Sequence, residues 1–356
     1  MDTKQSITAV GLMSGTSLDG LDMALVEFTF ANDRWSFELL HSHTLSFPVD
    51  MFQRLQNAYH SSAFELAKLH HDYGVFCGQA VTSFLSDKNI RPELIASHGQ
   101  TIFHRPDLGF TTQIGSAAAI AAIAKIDTIA DFRSIDVALG GNGAPLVPLV
   151  DALLFSEYDA CLNMGGFANV SYEENQKRFA FDICAANVVL NHLCRKLGKP
   201  YDAEGRIASE HMVNEELLSR LQTISYYQQA APKSLGYEFV ESEVFPILVD
   251  ANLCNEVLIA TYTTHVAQCI QHDLEKIRVR NVLVTGGGAY NTHLMNLLNQ
   301  QGNIQYQLPS KEIIECKEAI CFAFLGVLRK LNRINTLQTV TGAISDSIGG
   351  CIYLAS

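Results

Sequence analysis

The stretch AVGLMSGTSLDGLD, Ala9 to Asp22, decides how the rest of the chain is read. The apolar run Ile7 to Met13 predicts a buried strand. It stops at Ser14, Gly15, Thr16 and Ser17, which offer backbone N–H groups and hydroxyls. Asp19 and Gly20 then turn the chain into a second apolar run, Leu21 to Phe28. A tight strand–turn–strand with Gly, Thr and Ser at its tip suits a phosphate. Glycine lets the backbone come close, and several N–H groups can converge on one anion. An ordinary hairpin turn rich in small residues has the same composition, so this stretch alone leaves both readings open.

With 356 residues the chain is long enough for two domains. Its formal charge of −12 argues against a nucleic-acid partner, because no basic groove is legible. An anionic ligand therefore needs local donors against an acidic background. Nine cysteines are scattered without a CxxC pair, and the closest two, Cys316 and Cys321, share a helical pattern. All nine are expected to be reduced core thiols of a cytoplasmic protein. Met1 to Ser6 is polar and mixed in charge, which predicts no secretory signal. No apolar run reaches the length of a membrane span.

After the opening hairpin a third strand is expected at Trp35 to Leu40, then a turn around Pro48. Ser61 and Ser62 cap a long helical pattern reaching about Ser86, with Leu66, Leu69, Tyr73 and Phe76 at helical spacing. His70 and His71 on that helix read as packed or surface side chains. Strand Leu94 to Ser97 feeds the polar His98-Gly99-Gln100-Thr101, a place where open α/β sheets bind ligands. Gln113 to Ser116 opens an alanine-rich helix, and strand Asp127 to Phe132 leads to Arg133 and the loop 140–145. The second half repeats the opening plan: strands at 159–164, 169–173 and 178–183, then a helix to Leu197. Helices follow over 208–223 and 255–276. Strand Val282 to Thr285 ends in Gly286-Gly287-Gly288, and a long helix, 311–331, carries Glu318. The claim is a duplicated β-β-β-α topology, not a sequence repeat.

Three glycine-bearing turns thus follow apolar strands: Ser14 to Gly20, Gly165-Gly166, and Gly286 to Gly288. On a duplicated β-β-β plan they resemble the actin–sugar kinase–Hsp70 superfamily. There each lobe lends a hairpin to the phosphates of ATP, and a late strand-GGG-helix holds the adenosine. Helix starts and glycine-exposed N–H groups bind phosphates for a plain electrostatic reason. Taken alone, the GGG run reads as readily as a strand–helix corner.

At motif level the chain resembles the anhydro-N-acetylmuramic acid kinase family. The matching stretches are GLMSGTSLDGLD (11–22), ASHGQT (96–101), QIG (113–115), ADFRSIDVALGGNGAPLVP (130–148), LNMGGFANVS (162–171), PKS (232–234), TGGGAYN (285–291), EAICFAFLG (318–326) and VTGA (340–343). They run in the family's order over nearly the whole chain. The resemblance implies a two-lobed, actin-like (ribonuclease H-like) ATPase fold closing over ATP and an anhydro-amino-sugar. Residues 1–130, rejoined by 340–356, are expected to form the N-terminal lobe, and 131–339 the C-terminal lobe. It implies hydrolysis of the 1,6-anhydro bridge with phosphorylation of O6, giving N-acetylmuramic acid 6-phosphate in peptidoglycan recycling. It also suggests a cytoplasmic homodimer with no nucleic-acid or membrane partner.

The family match places residues as follows. Gly15, Thr16, Ser17, Leu18, Asp19, Gly20, Leu21 and Asp22 are expected at ATP, with Gly165, Gly166, Gly286, Gly287 and Gly288. His98, Gln100, Gln113, Arg133, Asn187 and Glu318 are expected at the sugar. Arg133 suits a lactyl carboxylate, or an ion pair with Asp131 or Asp136. Glu318 suits sugar hydroxyls, or simply an early position in its helix. Asp182, at a strand's end, is the expected base that activates water, although Asp also commonly caps helices. Two departures stand out. The family reads Asp-Thr-Gly-Pro-Gly-Asn where this chain reads Asp182-Ile183-Cys184-Ala185-Ala186-Asn187, which opens the question of another anhydro-sugar or a non-catalytic nucleotide-binding homologue. Met13 stands where many superfamily kinases carry Asp, so magnesium falls to Asp19 or Asp22, acting through water.

Overall fold

Strand β1 (Gln5–Met13) pairs antiparallel with β2 (Leu21–Ala31), and β2 with β3 (Arg34–Leu45). In that register Met13 faces Asp22, so the turn 14–20 sits at the open end of the hairpin. The computed structural model describes residues 5–15, 17–300 and 302–355. Thr16 lies outside the described residues.

Helix α1 (Val49–Gln56) follows Pro48, where only a turn was expected. Helix α2 (Ala63–Leu85) starts at a capping box: Ser62 accepts from the Glu65 N–H while the Glu65 carboxylate accepts from the Ser62 N–H. Strand β4 (Leu94–Ser97) lies parallel to β1. A small hairpin, β5 (Gln100–Arg105) with β6 (Phe110–Ile114), follows, in a stretch for which the sequence predicts no element. Helix α3 (Ala117–Ala124), capped by Ser116, leads to β7 (Thr128–Ala130), parallel to β4. Strand β7 is shorter than expected because Asp131 takes a left-handed backbone, φ 64°. Helices α4 (Ser134–Ala138) and α5 (Val147–Leu154) follow.

Strands β8 (Ala160–Met164), β9 (Phe167–Glu174) and β10 (Lys177–Ala185) form a second antiparallel run, ending in α6 (Asn187–Lys196). The helix expected over 208–223 is in fact two, α7 (Arg206–Glu210) and α8 (Glu215–Gln222). The break falls where Asn214 caps the second by accepting from the Leu217 N–H at 2.8 Å. Helix α9 (Tyr237–Phe239) runs through a π turn into α10 (Phe245–Asp250), and α11 (Asn255–Lys276) matches its expected span. Strand β11 (Asn281–Thr285), helix α12 (Thr292–Gln300) and strand β12 (Gln305–Gln307) complete the second sheet. Helix α13 (Lys311–Lys330), α14 (Gln338–Thr341) and β13 (Cys351–Tyr353) end the described chain.

The sheets are ordered β3-β2-β1-β4-β7-β13 and β10-β9-β8-β11-β12. Apart from the added β13 they carry the same order and sense, so the duplicated plan holds in two mixed sheets flanked by helices. The chain divides into two compact units: residues 1–154 with 316–356, and residues 155–315. Residues 131–154 and 316–339 thus fall in the first unit, whereas the sequence reading drew its boundaries at 130/131 and 339/340.

The first unit's core packs Val10, Leu12, Leu21, Met23 and Leu25 against Tyr73, Cys77 and Val81 of α2. Gly11 lets α13 press on β1, because a Cβ there would strike the Ala319 backbone oxygen. The second unit's core gathers Leu162, Val170, Ile183, Tyr262 and Val284. Three cysteines escape the expected burial: Cys254 and Cys351 are exposed, the latter on an edge strand, and Cys269 is partly buried. Among the described residues no helix is long and apolar enough to cross a membrane.

Candidate active site

In the first unit the opening turn is tied to the β4 end. Ser14 Oγ donates to Gln100 Oε1 at 2.5 Å, and Gln100 Nε2 donates to the Gly15 carbonyl at 3.3 Å. A Cβ on Gly15 would meet only Ser17 Oγ, at 3.5 Å, so the backbone there faces open space rather than packed protein. Leu18 is left-handed, φ 58°, and its N–H closes a turn onto the Gly15 carbonyl. Gly20 has no such freedom, since a Cβ would lie 2.8 Å from the Leu45 carbonyl oxygen. Leu21 is buried in the core, Asp19 is exposed, and Asp22 is half-buried with Oδ1 accepting from Thr44 Oγ1 at 2.6 Å. Gln113 on β6 donates to Thr111 Oγ1 at 2.8 Å.

Arg133 forms neither expected ion pair. Its Nε and one terminal nitrogen donate to His98 Nε2 at 3.1 and 2.9 Å, and the other donates to the Gly143 carbonyl at 2.6 Å. Asp131 instead accepts from Ser134. Asp136, fully buried, accepts from the Gly143 N–H at 2.7 Å and from Thr341 Oγ1 at 2.7 Å. The VTGA and GGNGAP motifs are therefore one structure: Thr341 and Asp136 fix the glycine loop that Arg133 rests on. Burial and the adjacent guanidinium push His98 down to about 3, so its imidazole is neutral and accepts at Nε2. Burial pushes Arg133 down to about 10 against an opposing pull from Glu318. Glu318, crowded by protein though open to solvent, has its carboxyl raised by desolvation, with Arg133 opposing and Asp22 adding. Asp22, His98, Arg133 and Glu318 are thus electrostatic neighbours, although they come from four separate motifs.

In the second unit β10 carries a bulge between Asp182 and Cys184, and bulges re-aim side chains. The Leu235 N–H donates to Asp182 Oδ2 at 2.9 Å, the Asp182 N–H to the Lys233 carbonyl at 3.0 Å, and Tyr226 Oη to the Asp182 carbonyl at 2.6 Å. Among the described residues Oδ1 has no partner. Burial raises the Asp182 carboxyl above its ordinary value, and the Leu235 N–H partly offsets this. Lys233 is itself anchored, its Nζ 2.8 Å from Asp273 in a buried ion pair and 5.0 Å from the centre of the Tyr226 ring. The sequence reading quoted the PKS run without giving it a task. Its task in the fold is to bracket Asp182.

The turn Gly165-Gly166 sits on the start of α6, with the Gly166 carbonyl accepting from the Ala186 and Val188 N–H groups. A Cβ on Gly166 would find its nearest atom 3.9 Å away, and one on Gly287 likewise, whereas one on Gly288 would strike Met164 at 2.7 Å. Gly286 is left-handed, φ 83°, with Asn163 Oδ1 2.5 Å from where a Cβ would stand. So Gly286 and Gly288 serve the corner, and Gly287 leaves the space. Asn187 donates to the Met164 carbonyl at 3.1 Å and lies beside this glycine run.

Gly15 in the first unit, and Gly166 and Gly287 in the second, thus each leave open space beside the backbone. The carboxylates of Asp19 and Asp22 are hard oxygen donors suited to magnesium that keeps most of its waters. Among the described residues no three His, Cys, Asp or Glu side chains are grouped to hold a metal ion. Two sheets on one β-β-β-α plan, each with a glycine turn after its first strand, make up the actin-like sugar-kinase fold. A family model described as anhydro-N-acetylmuramic acid kinase matches residues 7–355, and the chain belongs to that family. An anhydro-N-acetylmuramic acid kinase of Shewanella denitrificans is 36% identical over 366 residues, covering 97% of this chain and 98% of its own. One from Pseudomonas putida is 39% identical over 375 residues, covering 97% and 99%. A solved activator of the 2-hydroxyisocaproyl-CoA dehydratase from Clostridium difficile with bound ADPNP is similar at a TM-score of 0.42 and 16% identity, covering 92% of this chain and 97% of its own.

Proposed function

We propose that this chain opens the 1,6-anhydro bridge of anhydro-N-acetylmuramic acid with water and phosphorylates O6 from ATP. The observation that carries the reading is the setting of Asp182. It is a half-buried carboxylate on a bulge, held at Oδ2 by a backbone N–H with Oδ1 left to take a proton. Asp182 accepts the proton of the water attacking C1, which splits the C1–O6 bond and frees O6 as the acceptor. Arg133 has two of its five N–H groups beyond those given to His98 and Gly143, enough for the lactyl carboxylate. Glu318, Gln100 and Gln113 are assigned to the sugar's polar groups, and Asn187 to fixing the second glycine turn beside it. Ser17, Leu18, Gly15, Gly165, Gly166 and Gly287 are assigned to ATP. Asp19 and Asp22 would hold magnesium through water, and the ion would supply charge neutralisation at the phosphates.

The replaced glycines do not argue for a silent homologue. Cys184, Ala185 and Ala186 are buried to within 2% exposure, so their side chains fill core rather than ligand space. The chain is also taken to be a cytoplasmic homodimer, on family resemblance alone. The deciding experiment incubates pure protein with ATP, magnesium and 1,6-anhydro-N-acetylmuramic acid and seeks the 6-phosphate by mass spectrometry. Product supports the reading. Its absence with intact, folded protein overturns it.

A further inference from the structure

Arg133 is half-buried, and all three of its hydrogen bonds go to neutral acceptors. Nε and one terminal nitrogen serve His98 Nε2, and the other terminal nitrogen serves the Gly143 carbonyl. One N–H therefore remains on each terminal nitrogen, a pair that a carboxylate can take as a fork. His98 is held by packing, with its ring centre 4.6 Å from that of Phe322. Gly143 is held by hydrogen bonds. Its backbone is left-handed, φ 66°, and a Cβ there would lie 2.7 Å from Val137 Cγ2. Its N–H donates to Asp136 Oδ2 at 2.7 Å, and Asp136 Oδ1 accepts from Thr341 Oγ1 at 2.7 Å. The Thr341 carbonyl accepts from the Asn142 N–H at 2.9 Å, and the Asp136 carbonyl from the Gly141 N–H at 2.9 Å. Ala343 closes the other side, 2.8 Å from where a Cβ on Gly141 would stand. Loop 141–143 is thus clamped between α4 and a threonine 205 residues beyond Asp136. Asp136 and Thr341 are buried to within 1% exposure, so neither reaches a ligand and no solvent replaces a lost partner.

We propose that Asp136 and Thr341 are positioning residues for Arg133. Through the Gly143 carbonyl they set the guanidinium fork that separates an anhydro-sugar carrying a carboxylate from one without it. The proposal rests on the assignment of Arg133 to the lactyl carboxylate. A fork needs both N–H groups aligned, so a small displacement of the Gly143 carbonyl weakens the grip. Loss of the Thr341 hydroxyl leaves Asp136 Oδ1 without its donor in a buried site, and the loop shifts to relieve it. The effect is confined to ligands that Arg133 grips. A carboxylate-free sugar and the nucleotide do not feel it.

The test measures binding to the full chain by titration calorimetry, with thermal melts to confirm folding. The two sugars are 1,6-anhydro-N-acetylmuramic acid and 1,6-anhydro-N-acetylglucosamine, which keeps the bridge and acetamide but has no lactyl group. Wild type should bind the first about tenfold tighter. In Thr341→Val the first should weaken by about five- to twentyfold, while the second sugar and a non-hydrolysable ATP analogue stay within about twofold. Thr341→Ser keeps the hydroxyl and should restore the preference. In an Arg133→Ala background, Thr341→Val should change neither sugar further. Should Thr341→Val not fold, Thr341→Cys, a weaker donor on a side chain of similar size, makes the same comparison and should weaken the first sugar by about two- to fivefold. Equal weakening of both sugars, or a further loss in the Arg133→Ala background, overturns the positioning role and leaves the clamp purely structural. Unchanged binding of the first sugar overturns it as well. A wild-type chain that shows this binding pattern but forms no phosphate ester overturns the proposed reaction and leaves the positioning role standing. Binding of neither sugar overturns both.

Discussion

At the scale of single residues, two groups have opposite titration behaviour from what their types suggest. Asp182 has a raised carboxyl, so the fold prefers it protonated. Its contribution to stability is present at pH below its unfolded value and is lost as pH rises through the raised folded value. At neutral pH the ionised group weighs against the fold. Asp182→Asn removes that burden, and the amide oxygen can take the place of Oδ2 and accept from the Leu235 N–H. Turnover should fall by about 10²–10⁴, the usual worth of a positioned base, while the melting temperature at pH 7 stays level or rises. Steady-state kinetics and calorimetry on one preparation check both halves. A fall in melting temperature together with the rate would make Asp182 a structural residue. His98 runs the other way, with folded value about 3. Between the ordinary imidazole value and that figure, the unfolded chain binds a proton that the folded chain refuses. Stability drawn from His98 therefore declines as pH falls through this window. His98→Gln keeps an acceptor for Arg133 and does not titrate. Its melting temperature should decline less steeply than wild type between pH 6.5 and 5, read by thermal melts at matched ionic strength. Parallel slopes would contradict a buried neutral imidazole.

At the scale of elements, the glycine runs divide into those that shape a corner and those that leave room. Gly286→Ala forces a side chain into a left-handed position against Asn163 and should destabilise by about 1–3 kcal/mol. Gly287→Ala meets nothing nearer than Asn187 Nδ2 at 3.9 Å, so it should fold as wild type yet weaken ATP binding. Scanning fluorimetry and titration calorimetry separate the two, and unchanged ATP affinity in Gly287→Ala would remove the run from the nucleotide. The sequence could not make this distinction, because three glycines look alike until neighbours are known. What was legible were elements with local signals: β4, α11, and the Ser62 cap of α2 follow from periodicity and capping chemistry. What was not legible depended on distant partners. The β5–β6 hairpin has alternating polar residues that a loop shares. The PKS run owes its role to Asp273, forty residues on, and Asp136 owes its role to Thr341. Arg133 was read with its sequence neighbours and found its partner in His98 instead.

For the molecule as a whole, the family motifs made the fold and the reaction class readable at once, while the unit boundaries were not. Helices α4 and α5 and residues 316–330 of α13 join the first unit through burial that no composition shift announces. The reaction proposed for the whole chain couples two chemistries on one sugar, and that coupling has an isotopic signature. Water attacks C1 while the bridge oxygen stays on C6 and accepts the phosphoryl group. The bridge oxygen therefore becomes the ester oxygen of the product. Turnover in water enriched with oxygen-18, quenched before the hemiacetal exchanges, should put one label at C1 and none in the new phosphate. Each ring opened should consume one ATP. A chain that merely hydrolysed ATP would instead place label in free phosphate and leave the anhydro-sugar intact. Label in the ester oxygen at C6 and none at C1 would mean that water opened the bridge at C6, so that the bridge oxygen was not the phosphoryl acceptor. Either outcome would separate ring opening from phosphoryl transfer and leave Asp182 without the water it is proposed to activate.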